Sequence, residues 1–157
     1  MTEIDRHGIG EVAMTDIARA LAPGLRGGGC IHLAGPLGAG KTTFARALLG
    51  ALGAGARIKS PTYTLIESYA LPKLTVQHLD LYRIAAAEEL ELLGLRDLAD
   101  GPVLWLIEWP ERGVGEVPAA DLLVQLAHAP HGRDLRLRAA SRRGTKWLFP
   151  VAVAKTK

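Results

Sequence analysis

The chain has 157 residues and 16.7 kDa, the size of one ordinary domain, and needs no disulfide or metal to complete a core. Its 48% hydrophobic and 22% charged residues argue against disorder, and the single Cys30 excludes both a disulfide scaffold and a Cys-based zinc site. The net charge of +3 is unevenly spread: residues 128–157 carry eight Lys or Arg against Asp134, a net +7, whereas 84–121 carry nine acids against two bases, a net −7.

The chain opens Met1-Thr-Glu-Ile-Asp-Arg-His, with acids where a secretory leader needs bases followed by an apolar stretch. No apolar run approaches the roughly 18 residues of a membrane span. A cytoplasmic protein without a membrane association is the expectation. Thr15 is placed to cap a helix in which Ile17 and Leu21 share a face, with Pro23 and Gly27–Gly29 ending it. Cys30–Leu33 reads as a short strand. Thr42–Leu52 reads as a helix with Phe44, Leu48 and Leu52 on one side and Gly53 as its stop. Thr64–Tyr69 and Leu74–Leu79 read as strands around a turn at Pro72-Lys73. Ala85–Leu93 reads as a short acidic helix ended by Gly94, either a solvated face or part of a docking face over 84–121. Val103–Ile107 is continuously apolar, as a strand buried on both faces requires. Leu122–Ala127 and Leu135–Ala139 are later strands, and Lys146–Val153 is read as a further strand or contact segment. Helices between strands predict an α/β fold. The consecutive strands predict a mixed sheet, with a parallel core, antiparallel additions and flanking helices. The whole chain, 1–157, is read as a single domain, with 140–157 as a C-terminal extension.

The chemistry-bearing motif is Gly35-Pro-Leu-Gly38-Ala-Gly40-Lys41-Thr42, which satisfies G-x-x-x-x-G-K-[ST] between an apolar strand and an amphipathic helix. Glycines let consecutive N–H groups around Gly38, Ala39 and Gly40 close on phosphate oxygens, and the helix N-terminus adds its dipole. Lys41 reaches the β- and γ-phosphates, and the Thr42 hydroxyl is a Mg²⁺ ligand. Thr43 is either a further phosphate contact or an ordinary first-turn residue. Two acids stand at strand ends where such a loop needs a carboxylate: Glu108, closing 103–107, and Asp80, closing 75–79. Each has three available roles: direct metal ligand, ligand through water, or orienter of the attacking water. The chain contains no Asn, so it lacks the Asn-Lys-x-Asp guanine reader, and ATP is favoured over GTP.

Five segments together resemble one family: Gly38–Phe44, Lys59–Leu65, His78–Arg83, Glu88–Gly94 and Ile107–Pro110. Their order and spacing are similar to the bacterial TsaE family, formerly YjeE, over about residues 12–138. The resemblance implies a P-loop ATPase with ATP and Mg²⁺ as cofactors. It would support threonylcarbamoyladenosine (t6A) modification of tRNA through the partner proteins TsaB and TsaD, with tRNA met indirectly through the complex. By motif, Lys41 would bind phosphate, Thr42 and Glu108 would lie at Mg²⁺, and Asp80 would complete the hydrolytic site. Ser60-Pro61-Thr62 would form a switch-like loop, with Thr62 ordering water or metal; an ordinary turn is the alternative. Trp109 either lies beside the nucleotide or packs under Pro110. Thr15 either approaches the adenine side or is a plain cap, and Arg133 matches a family position at which an Arg contacts nucleotide. His78 and Tyr82 read as packing residues. Two other readings of the same loop are a small-molecule kinase and a nucleotide-gated binding module.

Overall fold

A computed structural model describes residues 2–98 and 101–154; Met1, Ala99 and Asp100 of the acidic segment, and the tail residues 155–157 lie outside them. The chain runs β1 (Glu3–Ile9), α1 (Glu11–Leu25), β2 (Gly29–Ala34), α2 (Lys41–Leu52), β3 (Ile66–Leu71) and β4 (Leu74–Asp80). It continues with β5 (Val103–Glu108), β6 (Leu122–His128), β7 (Arg133–Ala139) and α3 (Arg142–Val153). Short 3₁₀ turns occupy Ala87–Leu93, Leu95–Leu98 and Pro110–Gly113.

The seven strands form one mixed sheet in the order β1-β7-β6-β2-β5-β4-β3. The central strands β6, β2, β5 and β4 are parallel, while β7, β1 and β3 are antiparallel to their neighbours. This is the expected architecture of a parallel core with antiparallel additions. Sequence periodicity explains the layers. On one face Ile31, Leu33, Val76, Leu104 and Leu106 meet Leu21 and Leu25 of α1, Phe44 and Leu48 of α2, and Trp147 and Leu148 of α3. On the other, Cys30, Leu79, Trp105 and Ile107 meet Leu90 and Leu95 from the 3₁₀ turns. β5 is buried at all six positions, as its unbroken apolar run requires.

Four readings need correction. Helix α1 starts at Glu11 behind Gly10, so Thr15 lies inside the helix and is not its cap; Pro23 also lies within it. Strand β3 begins at Ile66, because Thr64 and Leu65 belong to the preceding turn, where Leu65 takes φ 72°. The acidic stretch Ala87–Leu93 is a 3₁₀ turn, not an α-helix; Gly94 does end it, at φ 62°. Lys146–Val153 is the end of helix α3, not a strand. The Ser141 hydroxyl accepts from Gly144 N–H at 3.1 Å and caps that helix. Strand β1, with Ile4 as its buried apolar anchor, lies ahead of every element read from the sequence. Among the described residues no helix is long and apolar enough to cross a membrane.

Candidate nucleotide site

The parallel strands deliver the site to one edge of the sheet. β2 ends at Ala34, and the chain turns through Gly35–Gly40 into α2. Its neighbour β5 ends at Glu108 and β4 at Asp80, and these two carboxylates are paired in register. Ligand crevices of open α/β sheets lie beyond such carboxyl ends.

The loop takes the shape its glycines allow. Gly35 has φ 147°, and a Cβ there would run into the Leu126 carbonyl. Gly40 has φ 109°, and a Cβ there would run into the Arg133 guanidinium. As N-cap, Gly40 supplies no side-chain acceptor, so the first-turn amides of α2 remain for phosphate oxygens. Lys41 lies across the loop and donates to the carbonyls of Gly35 (2.7 Å) and Pro36 (2.9 Å). Its ammonium stands 4.3 Å from the centre of the Trp109 ring. Burial lowers the Lys41 pKa, and the carboxylates of Glu108, Asp80 and Glu111 oppose that shift.

Behind Lys41 the Thr42 hydroxyl donates to Glu108 Oε1 at 2.8 Å. Glu108 is 2% exposed, and its Oε2 accepts from His78 Nε2 at 2.7 Å. Asp80 accepts from the Tyr82 N–H at 3.0 Å. Burial raises the Asp80 pKa; the Glu108 charge adds to the rise, and the Tyr82 N–H and Lys41 oppose it. Beyond Glu108 the chain rises into Trp109, held at φ 57° while its N–H reaches Leu33 O at 3.3 Å. This left-handed turn sets the indole between Lys41 and Tyr82, whose ring centre is 4.9 Å away.

These groups line a cleft of about 330 Å³. Of the residues singled out by sequence, it gathers Gly38, Gly40, Lys41, Thr42, Thr43 and Thr62 on the loop side. Asp80, Glu108, Trp109 and Arg133 close the other walls. Ala39 is fully buried beneath the loop, its N–H bonded to Pro36 O at 3.2 Å. Thr15 does not line this cleft; it sits one turn into α1. Arg133 also lines a smaller adjoining hollow with Gly10 and Met14 at the start of α1. Thr62 reaches the cleft from a loop whose base is pinned by Tyr69: its hydroxyl accepts from Lys59 N–H at 2.8 Å and lies 3.0 Å from Lys59 O.

Sequence reasoning undervalued three residues. Tyr82 and Arg83 line the cleft, and His78 touches Glu108. The signal for His78 was available: it lies two residues before Asp80, and a strand repeats its face every second residue.

The donors suit Mg²⁺. Thr42, Glu108 and Asp80 present hard oxygens to one cleft, and the Thr42 hydrogen is engaged by Glu108, so its lone pairs remain available. Among the described residues no group of three or more His, Cys, Asp or Glu is placed to hold a metal ion.

The family model described as "Threonylcarbamoyl adenosine biosynthesis protein TsaE" matches residues 10–135. The chain is 44% identical over 114 residues to the Haemophilus influenzae tRNA threonylcarbamoyladenosine biosynthesis protein TsaE, covering 73% of this chain and 72% of that one. It is 34% identical over 113 residues to the Bacillus subtilis protein of the same name, covering 72% and 70%. The crystal structure of Bacillus subtilis YdiB superposes with a TM-score of 0.73 over 97% of this chain and 96% of the other, at 23% identity, a likeness of fold. The matched span starts one residue before α1 and runs into β7, so it takes in the loop, both strand-end carboxylates and Arg133. By that match, and by two relatives sharing a third or more of their residues over most of its length, the chain belongs to the TsaE family.

Proposed function

We propose that this protein is a partner-dependent ATPase that supports t6A modification of tRNA, acting with TsaB and TsaD and meeting tRNA through that complex. The observation that carries the reading is the Thr42–Glu108 hydrogen bond beside Lys41, in a chain of the TsaE family. A hydroxyl, a carboxylate and an ammonium at the mouth of a glycine loop are the parts that phosphoryl transfer needs.

In this reading Lys41 exchanges its two carbonyl acceptors for β- and γ-phosphate oxygens, and the amides of the first turn of α2 take the remaining charge. Thr42 and Glu108 would hold Mg²⁺, which would neutralise charge on the phosphate oxygens. Asp80, with its raised pKa, orients the attacking water and takes up its proton. Trp109 and Tyr82 wall the cleft against solvent. A kinase acceptor would need a basic lid, and the turn after Trp109 brings one base, Arg112, beside Glu111.

The test is hydrolysis of Mg·ATP by the purified protein, alone and with TsaB and TsaD, alongside multiple-turnover t6A formation. The expected result is weak hydrolysis alone and stimulation by the partners. K41A removes two charge-assisted hydrogen bonds worth about 1.5–3 kcal/mol each, so nucleotide affinity falls by about 100-fold or more and repeated modification stops. Unimpaired multiple turnover by a K41A protein that no longer binds ATP would overturn the reading.

A further inference from the structure

We propose that His78 is a positioning residue for Glu108: it holds the carboxylate in the orientation that Thr42 and a bound metal require. This rests on the Mg·ATP reading of the cleft and deepens it.

His78 is fully buried on β4. The register pairs it with Leu106 and pairs Asp80 with Glu108, so alternation puts all four on the helix-facing side of the sheet. The same face carries Val76 and Leu104, both fully buried. An apolar side chain at position 78 would match these neighbours but would leave the buried Glu108 Oε2 without its donor. The imidazole packs there with Nδ1 buried and, among the described residues, without a hydrogen-bond partner, an arrangement that costs stability. Among those residues its one side-chain hydrogen bond is Nε2–H donating to Glu108 Oε2 at 2.7 Å. The opposite oxygen of the same carboxylate accepts from Thr42. Glu108 is therefore gripped on both oxygens, by the strand beneath it and by the helix that carries the phosphate loop. Without the grip on Oε2, the carboxylate is free to rotate about its terminal torsion, which is broad for Glu. A metal-binding oxygen then loses the preorganisation on which affinity depends.

Geometry supplies a discriminating pair of substitutions. The Gln amide nitrogen reaches about as far as imidazole Nε2, whereas the Asn amide nitrogen reaches only as far as Nδ1. Both variants bury an amide; in a merely structural role the cavity left by the shorter Asn would lower stability and metal-free binding, whereas loss of the grip on Oε2 lowers the Mg²⁺-dependent gain. The readout is binding of a fluorescent ATP analogue with and without Mg²⁺, supported by hydrolysis. Without metal, parent, H78Q and H78N are expected to bind within about twofold of one another. The Mg²⁺-dependent gain in affinity is expected to fall about tenfold or more in H78N and to stay within about threefold of parent in H78Q. In an E108Q background the H78N substitution should cause no further loss of that gain. Equal behaviour of H78Q and H78N would overturn the proposal, as would an undiminished loss in the E108Q background. If H78N fails to fold, H78A, which offers no donor to Oε2, takes its place: a Mg²⁺-dependent gain within about threefold of parent would overturn the proposal, and an about tenfold loss that disappears in the E108Q background would support it. A parent protein with no Mg²⁺-dependent nucleotide binding would overturn the ATPase reading itself, an outcome separate from either result for the variants.

Discussion

Asp80 and Lys41 bear opposite costs in one cleft. Burial pushes the Asp80 carboxyl above its ordinary value, and the neighbouring Glu108 charge pushes it further. Such a group binds its proton more tightly in the folded state than in the unfolded one. Its contribution to stability is therefore fully present below the unfolded carboxylate value, about 3.9, and is lost as pH rises through the folded value. At neutral pH an ionised Asp80 destabilises the fold. D80N keeps an acceptor for the Tyr82 N–H and removes the charge. The variant is expected to melt at a higher temperature than the parent at pH 7. The gain should shrink on acidification and vanish below the unfolded value; thermal melts across pH measure it. In the proposed mechanism the same substitution removes the water-orienting base, and it is expected to lower hydrolysis by about 10²- to 10⁴-fold. A variant that is more stable and less active marks a group kept for chemistry at the expense of stability.

At the scale of elements, the loop and helix α2 were legible in the sequence because their demands are local. The glycines, the Lys-Thr pair and the four-residue spacing of Phe44, Leu48 and Leu52 all lie within one window. The same holds for β5, whose apolar run closes on Glu108. Other elements depended on distant partners. The start of α1 carries no capping side chain, since Gly10 fills that position, and Thr15 offered a better local signal at the wrong place. Trp147-Leu-Phe-Pro-Val has the composition of a strand, but Ser141 nucleates a helix ahead of it, and the indole finds its place against Gly24, where a Cβ would approach within 2.8 Å. His78 was legible as a residue but not as a role, because its partner lies 30 positions away. Two glycines, Gly40 capping α2 and Gly50 within it, separate local from tertiary demands. Gly40 has φ 109° and lies against Arg133, so G40A is expected to destabilise by about 1–2 kcal/mol and to weaken nucleotide binding. Gly50 is helical and exposed, with nothing near its missing Cβ, so G50A is expected to stabilise by about 1 kcal/mol and leave binding unchanged. Urea denaturation and nucleotide titration of both variants measure the contrast.

At the scale of the molecule, the basic C-terminal region is not a loose appendage. Arg133 lines the cleft, Arg136 pairs with Asp5 at 2.7 Å across the β1–β7 edge, and Arg143 reaches Asp121 at 3.7 Å. Asp121 also accepts from Cys30 N–H (2.9 Å) and the Ser141 hydroxyl (2.6 Å), which ties α3 to the strand that leads into the phosphate loop. Trp147, Leu148 and Val151 bury their side chains against α1 and the sheet. Losing one large core side chain of this kind costs about 2–5 kcal/mol, against a total of about 5–15 kcal/mol for a domain. Truncation after Ala140 is therefore expected to abolish the cooperative thermal transition and, with it, nucleotide binding. That outcome makes truncation useless for asking whether the basic region touches tRNA. Neutralisation is the informative change, because Arg138, Arg142 and Lys146 are exposed. Combined R138Q, R142Q and K146Q should shift stability by no more than about 0.5 kcal/mol per site. If tRNA is met through TsaB and TsaD, this triple variant supports modification at the parent level at every salt concentration tested. If these side chains bind phosphates directly, its tRNA affinity falls, and the slope of log affinity against log salt flattens by roughly 0.9 for each phosphate no longer neutralised.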